Sequence, residues 1–151
     1  MKTVKISKDI VKNKYEVDDL EIFKNELFFY LLGQQKNISF IPKLVSYDCS
    51  KLIICVENVG KTLEEHCNSG EELDDFLPKI KKIYNRFVRL GYYHNDLRYK
   101  NIIINPDTKR LYLIDFEFTD KEYKDLDDEN IVQKINYKNK GNSKKRYSKK
   151  K

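Results

Sequence analysis

The chain has 151 residues, a length for one domain with a substantial core. Its 40% hydrophobic and 13% aromatic content excludes a disordered chain, no apolar run reaches the length of a membrane span, and the start lacks the apolar stretch of a secretory signal. The formal charge of +6 belongs to the end: residues 138–151 carry eight of the 30 Lys and Arg and none of the 24 acids, so the rest holds 22 bases against 24 acids, about −2, which argues against a basic nucleic-acid-binding fold.

Residues 3–7 alternate and predict a short strand, with Thr3 and Lys5 on one face and Val4 and Ile6 on the other. Residues 17–33 predict an amphipathic helix on Leu20, Phe23, Leu27, Tyr30 and Leu31, with Gly33 as its C-cap. Residues 42–47 and 51–57 predict two strands joined at Asp48-Cys49-Ser50. Residues 57–60 break the pattern as a linker, and 62–67 predict a short helix. Residues 72–90 predict a long helix with Leu73, Phe76, Leu77, Ile80, Ile83, Tyr84, Phe87 and Leu90 on one face, and Pro78 starts or kinks it. The apolar runs 101–104 and 111–114 flank an Asn105-Pro106 turn and predict a hairpin. A short helix is expected over 127–136. The uniformly basic run 138–151 predicts a disordered tail. Cys49, Cys55 and Cys67 have no metal or redox spacing, which predicts buried thiols in a reducing, intracellular setting.

The densest signal is His94-Asn95-Asp96-Leu97-Arg98-Tyr99-Lys100-Asn101, followed by Asp115-Phe116-Glu117. Asn101 and Asp115 stand at the open ends of the predicted hairpin, so antiparallel pairing brings two potential metal ligands together. The alternative is a surface hairpin with incidental polar ends. The string resembles the catalytic loop and metal-binding segment of protein-kinase-like phosphotransferases, H-R-D-L-x-x-x-N then D-F-G. The resemblance covers roughly residues 1–135. It implies an α+β, truncated bilobal protein-kinase-like fold: a small β-containing N-lobe over 1–57 that lacks the Gly-rich loop, a hinge at 58–60, and a reduced helical C-lobe over 61–137 carrying the catalytic hairpin.

It also implies ATP and Mg²⁺ as cofactors. Asp96 would receive the proton of the acceptor hydroxyl, and Asn101 and Asp115 would hold the metal. Arg98 either steadies the γ-phosphate or is a surface arginine. His94 and Phe116 brace the site. Lys5 is the best match for the strand lysine that holds the α- and β-phosphates, with Lys2 and Lys8 as alternatives, and Glu26 is its helix partner. Glu57 or Val59 would offer backbone groups to adenine at the hinge.

Three departures shape the expectation. The first strand lies too near the start for a Gly-rich lid. Asn95 replaces the usual arginine and no A-P-E follows, so switching by activation-loop phosphorylation is not expected. Glu117 replaces the glycine of D-F-G, and H-N-D with I-D-F-E is similar to choline and ethanolamine kinases and to aminoglycoside phosphotransferases. The short region after Asp115 also resembles the small kinase of the tRNA-modifying complex. The expected activity is an atypical protein kinase acting on a protein hydroxyl. The alternatives are a small-molecule kinase, disfavoured for want of a helical substrate insert, and a nucleotide-binding pseudokinase. Expected partners are a protein substrate and, through the tail, nucleic acid or an acidic protein, with no membrane.

Overall fold

The computed structural model describes residues 2–124 and 130–139, the last four as backbone only. The first half is built on an antiparallel sheet of order β1-β2-β4-β3, formed by β1 (Thr3–Ile6), β2 (Ile10–Lys14), β3 (Leu44–Asp48) and β4 (Ile53–Glu57). Inner strand β4 buries Ile54 and Val56, whereas edge strand β1 is exposed throughout. The sequence reading missed β2. Its Ile-Val-Lys-Asn-Lys pattern hides the alternation, because the position facing inward is the polar Asn13, 6% exposed. The β1–β2 hairpin closes on Ser7, whose N–H (2.9 Å) and Oγ (3.1 Å) both donate to the Ile10 carbonyl. No glycine precedes Gly33, so this turn is not glycine-rich. The β3–β4 turn is held by Asp48 Oδ1, which accepts from the N–H groups of Ser50 (2.9 Å) and Lys51 (3.1 Å).

A 3₁₀ turn at Val17–Asp19 leads into α1 (Leu20–Gln35), which buries Phe23, Glu26, Leu27, Phe29, Tyr30 and Gly33. Gly33 is not the expected C-cap. It lies inside the helix, where a Cβ would sit 3.0 Å from an Ile41 methyl, so its smallness serves packing, and the helix ends two residues later.

The second half opens with α2 (Leu63–His66), whose start is fixed by a Thr62–Glu65 capping box. The helix expected over 72–90 is two helices, α3 (Gly70–Asp74) and α4 (Leu77–Arg89). Pro78 sits in the first turn of α4, where its missing N–H costs nothing but where it cannot extend a preceding helix. α4 buries Leu77, Ile80, Tyr84 and Phe87, and Gly91, at φ 101°, stops it in the left-handed conformation. A second antiparallel sheet has the order β5-β6-β7: β5 (Lys61–Thr62), β6 (Ile102–Ile104) and β7 (Leu111–Leu113). Its β6–β7 register, Ile102 opposite Leu113, is the hairpin the sequence predicts. α5 (Val132–Asn139) packs on α4. The start of the helix expected over 127–136 falls partly, and the tail from residue 140 wholly, outside the described residues. Among the described residues no helix is long and apolar enough to cross a membrane.

The two halves share an aromatic core. The Phe116 ring, fully buried, stacks on Phe29 (5.6 Å) and Phe87 (5.9 Å). Truncating a buried phenylalanine costs about 3–5 kcal/mol, so the D-F-E segment is anchored by its middle residue.

Candidate nucleotide and metal site

The loop 94–101 is rigid because its polar groups bond within the loop. His94, fully buried, donates from Nε2 to the Ile114 carbonyl (2.8 Å) and accepts the Asp96 N–H on Nδ1 (3.2 Å). Those partners define a neutral imidazole, and burial pushes its pKa down. Asn101 comes from a 3₁₀ turn at Tyr99–Asn101. Its Nδ2 donates to the Asp96 carbonyl (2.8 Å) and to Asp96 Oδ2 (3.1 Å), which turns its Oδ1 away from Asp96. Arg98 Nε donates to Asp96 Oδ1 at 2.8 Å, so Arg98 is engaged with the loop and is not a free surface arginine.

Asp115 has φ 65°, a strained value for a non-glycine residue. Its neighbours fix that conformation from both sides. The Ile114 N–H donates to the Asn101 carbonyl (3.1 Å), and the Phe116 N–H donates to Glu26 Oε2 (2.9 Å). Strain persists where surrounding contacts over-determine it, most often at functional sites.

Glu26 is fully buried in the middle of α1. Besides the Phe116 N–H it accepts from the Tyr15 hydroxyl and from Lys2 Nζ (2.9 Å). Lys2 Nζ lies a further 3.9 Å from Asp115 Oδ1. Burial works against the Lys2 ammonium, but Glu26 and Asp115 outweigh it and hold its pKa above the ordinary lysine value. Lys2, and not Lys5, therefore meets the helix glutamate. The strand parity is the reverse of the one expected: Lys2, Val4 and Ile6 face the cleft, while Lys5 is solvent-exposed opposite Lys12. The alternation was legible; which face is wet was not, because Val4 and Ile6 stay 46% and 73% exposed, lining an open cleft and not a core.

That cleft has a volume of about 500 Å³ between the two sheets. Apolar walls from Val4, Val11, Val56 and Ile103 lead to Lys2 and Asp115 at one end and to residues 57–60 at the other. In the hinge, the Glu57 N–H is spent on the Lys43 carbonyl (2.9 Å) and the Val59 carbonyl on Asn105 Nδ2 (3.1 Å). Gly60, at φ 152°, lets the hinge backbone press on β6: a Cβ there would lie 2.0 Å from the Ile104 carbonyl oxygen.

Oxygens of Asp96, Asp115 and Glu117 lie within 4.8 Å of one another. Asp115 Oδ1 is buried and has no hydrogen-bond partner among the described residues. Burial, with Asp96 and Glu26 nearby and only partly offset by Lys2 and Arg98, raises the Asp115 pKa. Burial and Asp115 raise that of Glu117. Hard oxygen donors crowded at this distance suit a divalent cation such as Mg²⁺, and the partnerless buried oxygen is the atom a cation would satisfy. Glu117 is the residue the sequence reading underused. In the motif it stands for the glycine of D-F-G, but its carboxylate two positions after Asp115 is itself a ligand signal.

The chain from Glu117 to Lys124 is pinned to the 93–95 segment and to α1. Asn95 Nδ2 donates to the Phe118 and Glu122 carbonyls (both 3.0 Å), and its Oδ1 accepts the Lys124 N–H (2.8 Å). Tyr93 and Asp120 exchange backbone bonds (2.8 and 3.1 Å). Asn25 Nδ2 reaches the Phe116 (2.7 Å) and Thr119 (3.1 Å) carbonyls from α1. An arginine at position 95 would lack the acceptor that holds Lys124, and asparagine tolerates its φ of 67°.

A two-part α+β body with a hinge, a helix glutamate bound to a lysine, and a carboxylate cluster reaching one end of the cleft through Asp115 define a kinase-like fold. The solved structures agree. Residues covering 80% of the chain superpose on monomeric WbdD with a TM-score of 0.54 and 14% identity, over 33% of that chain. No curated protein matches the sequence. The choline/ethanolamine kinase profile matches residues 1–141, and the chain belongs to that family.

Proposed function

We propose that this protein is an ATP- and Mg²⁺-dependent phosphotransferase whose acceptor is the hydroxyl of a small amino alcohol. This replaces the protein hydroxyl as the first reading, because the family match favours the small-molecule alternative. The observation that carries the chemistry is the convergence of Asp96, Asp115 and Glu117 around a buried Asp115 oxygen that accepts no hydrogen bond among the described residues.

On this reading adenine lies between Val4, Val11 and Ile103 and meets the Glu57 carbonyl and the Val59 N–H, the hinge groups not spent on Lys43 and Asn105. Lys2, held by Glu26, binds the α- and β-phosphates. Asp115, Glu117 and the Asn101 Oδ1 hold Mg²⁺, which when bound neutralises charge on the transferring phosphoryl group. Asp96 accepts the proton of the acceptor hydroxyl. Arg98 Nε, 2.8 Å from Asp96 Oδ1, fixes that carboxylate and places a positive charge beside it.

The test is transfer of label from γ-labelled ATP in the presence of Mg²⁺ to choline, ethanolamine, an aminoglycoside or a mixed protein substrate. The expected product is a labelled amino alcohol, and Asp96→Asn should lose about 10²–10⁴-fold in rate. Label on protein instead would restore the protein-kinase reading. Nucleotide-induced thermal stabilisation with no transfer to any acceptor would leave a binding module.

A further inference from the structure

We propose that the groove between α4 and the β6–β7 turn binds the phosphodiester backbone of a nucleic-acid strand, a function beyond phosphoryl transfer. The groove has a volume of about 440 Å³, and five cations line it: Lys79, Lys82 and Arg86 from α4, Lys109 and Arg110 from the turn. No carboxylate lines it; Asp107, in the same turn, stands outside. None of the five cations makes an ion pair among the described residues. The Arg86 guanidinium lies 5.0 Å from the centre of the Phe40 ring, covering the buried aromatic floor. An adjoining hollow of about 450 Å³ shares Phe40 and Arg86 and adds Lys36, so the basic surface continues past a single phosphate-sized spot.

The helix that supplies three of the groove cations is itself strongly basic. α4 holds five bases and no acid (sequence LPKIKKIYNRFVR), and Lys79 sits in its first turn, where the helix dipole already disfavours a cation. Lys79, Lys82 and Arg86 follow three- and four-residue steps and form one stripe about 10 Å long. A nucleic-acid strand carries one charge per ~3.4 Å of axis, so the stripe faces about three phosphates. The near-neutral average of residues 1–137 conceals this segregation, since acids gather elsewhere, at Glu64, Glu65, Glu71, Glu72, Asp74 and Asp75.

Two features favour a phosphate polymer over an acidic polypeptide. The aromatic floor is sealed by Arg86, which leaves little apolar surface to grip side chains. Residues 138–151 carry eight further bases, and so many charges suit a polymer charged at every unit. With the base faces unread, binding is independent of sequence.

The full chain is titrated into a fluorescent 20-nucleotide single-stranded RNA at several salt concentrations, followed by anisotropy. We expect binding that weakens steeply with salt. In Lys79→Gln/Lys82→Gln/Lys109→Gln, affinity should fall at least tenfold and the salt slope should shrink by about 2 (~0.7 for each lost contact), while the far-UV circular dichroism spectrum and cooperative thermal melt of the free protein match wild type, which shows that the variant is folded. Three results would overturn the proposal: no binding by the wild type, binding by the triple variant equal to wild type while Lys144→Gln/Lys145→Gln/Arg146→Gln loses it, or displacement of RNA by polyglutamate of equal charge as effectively as by unlabelled RNA. Each readout is independent of turnover and so of the phosphotransferase reading.

Discussion

Replacing Glu26 by glutamine should separate the roles of Lys2 and Lys5. Glu26 is fully buried and accepts three bonds, from Lys2 Nζ, the Tyr15 hydroxyl and the Phe116 N–H. Glutamine keeps one oxygen and the shape but removes the charge, leaving the partly buried Lys2 ammonium without its nearest partner. Hydrogen bonds to a charged group contribute about 1.5–3 kcal/mol, and breaking one side of a buried pair costs about 3–5 kcal/mol. Lys2 keeps 23% of its side chain exposed and can rehydrate, so about 2–3 kcal/mol is expected for Glu26→Gln. In urea titrations this shows as a lower midpoint at unchanged slope. Lys2→Met leaves the fully buried Glu26 carboxylate without its ammonium, so it should cost at least as much stability, and it should weaken phosphate binding, raising the KM for ATP and lowering kcat. Lys5→Ala, on the exposed face of β1, should change stability by less than about 0.5 kcal/mol and leave turnover intact. Loss of activity in Lys5→Ala with retention in Lys2→Met would refute the assignment, as would a Glu26→Gln protein as stable as wild type.

Further expectations follow from single contacts. Gly60→Ala places a Cβ 2.0 Å from the Ile104 carbonyl, so the hinge must separate from β6; thermal melts should show a loss of several degrees, and the KM for ATP should rise. Asn95→Ala frees the Phe118, Glu122 and Lys124 backbone groups, and amide exchange of residues 118–124 should accelerate while the core stays protected. His94, buried and neutral, has a folded pKa below its unfolded one. Below about pH 6.5 the unfolded chain binds a proton that the native one refuses. Stability is then present above that pH and falls as pH drops, by up to about 1.4 kcal/mol per unit until the folded pKa is reached. His94→Gln should flatten that part of the stability profile.

Much of the site was legible because its residues are close in sequence and bound to one hairpin. His94, Asp96, Asn101 and Asp115 are joined by β6 and β7, so spacing alone set their geometry. Glu26 was legible as the mid-helix carboxylate of α1. What failed depended on contacts distant in sequence. β2 has lysines on its wet face and Asn13 on its dry one, so periodicity did not mark it, and without β2 the parity of β1 could not be fixed. The Lys2 pairing follows from that hairpin, since the β1 face that meets the cleft carries Lys2, Val4 and Ile6 and not the expected Lys5. The break before α4 was signalled by Pro78, but the apolar face running through Leu73 and Phe76 masked it.

The central claim is that the carboxylates of Asp115 and Glu117, beside the proton-accepting Asp96, form a cation site at one end of a nucleotide cleft. The most direct measurement is electron paramagnetic resonance of Mn²⁺ titrated into the protein with a non-hydrolysable ATP analogue. Bound Mn²⁺ should appear at about one to two ions per chain in wild type and in Lys5→Ala, and should fall at least tenfold in affinity in Asp115→Asn and Glu117→Gln. Equal Mn²⁺ binding by wild type and Asp115→Asn would contradict the account.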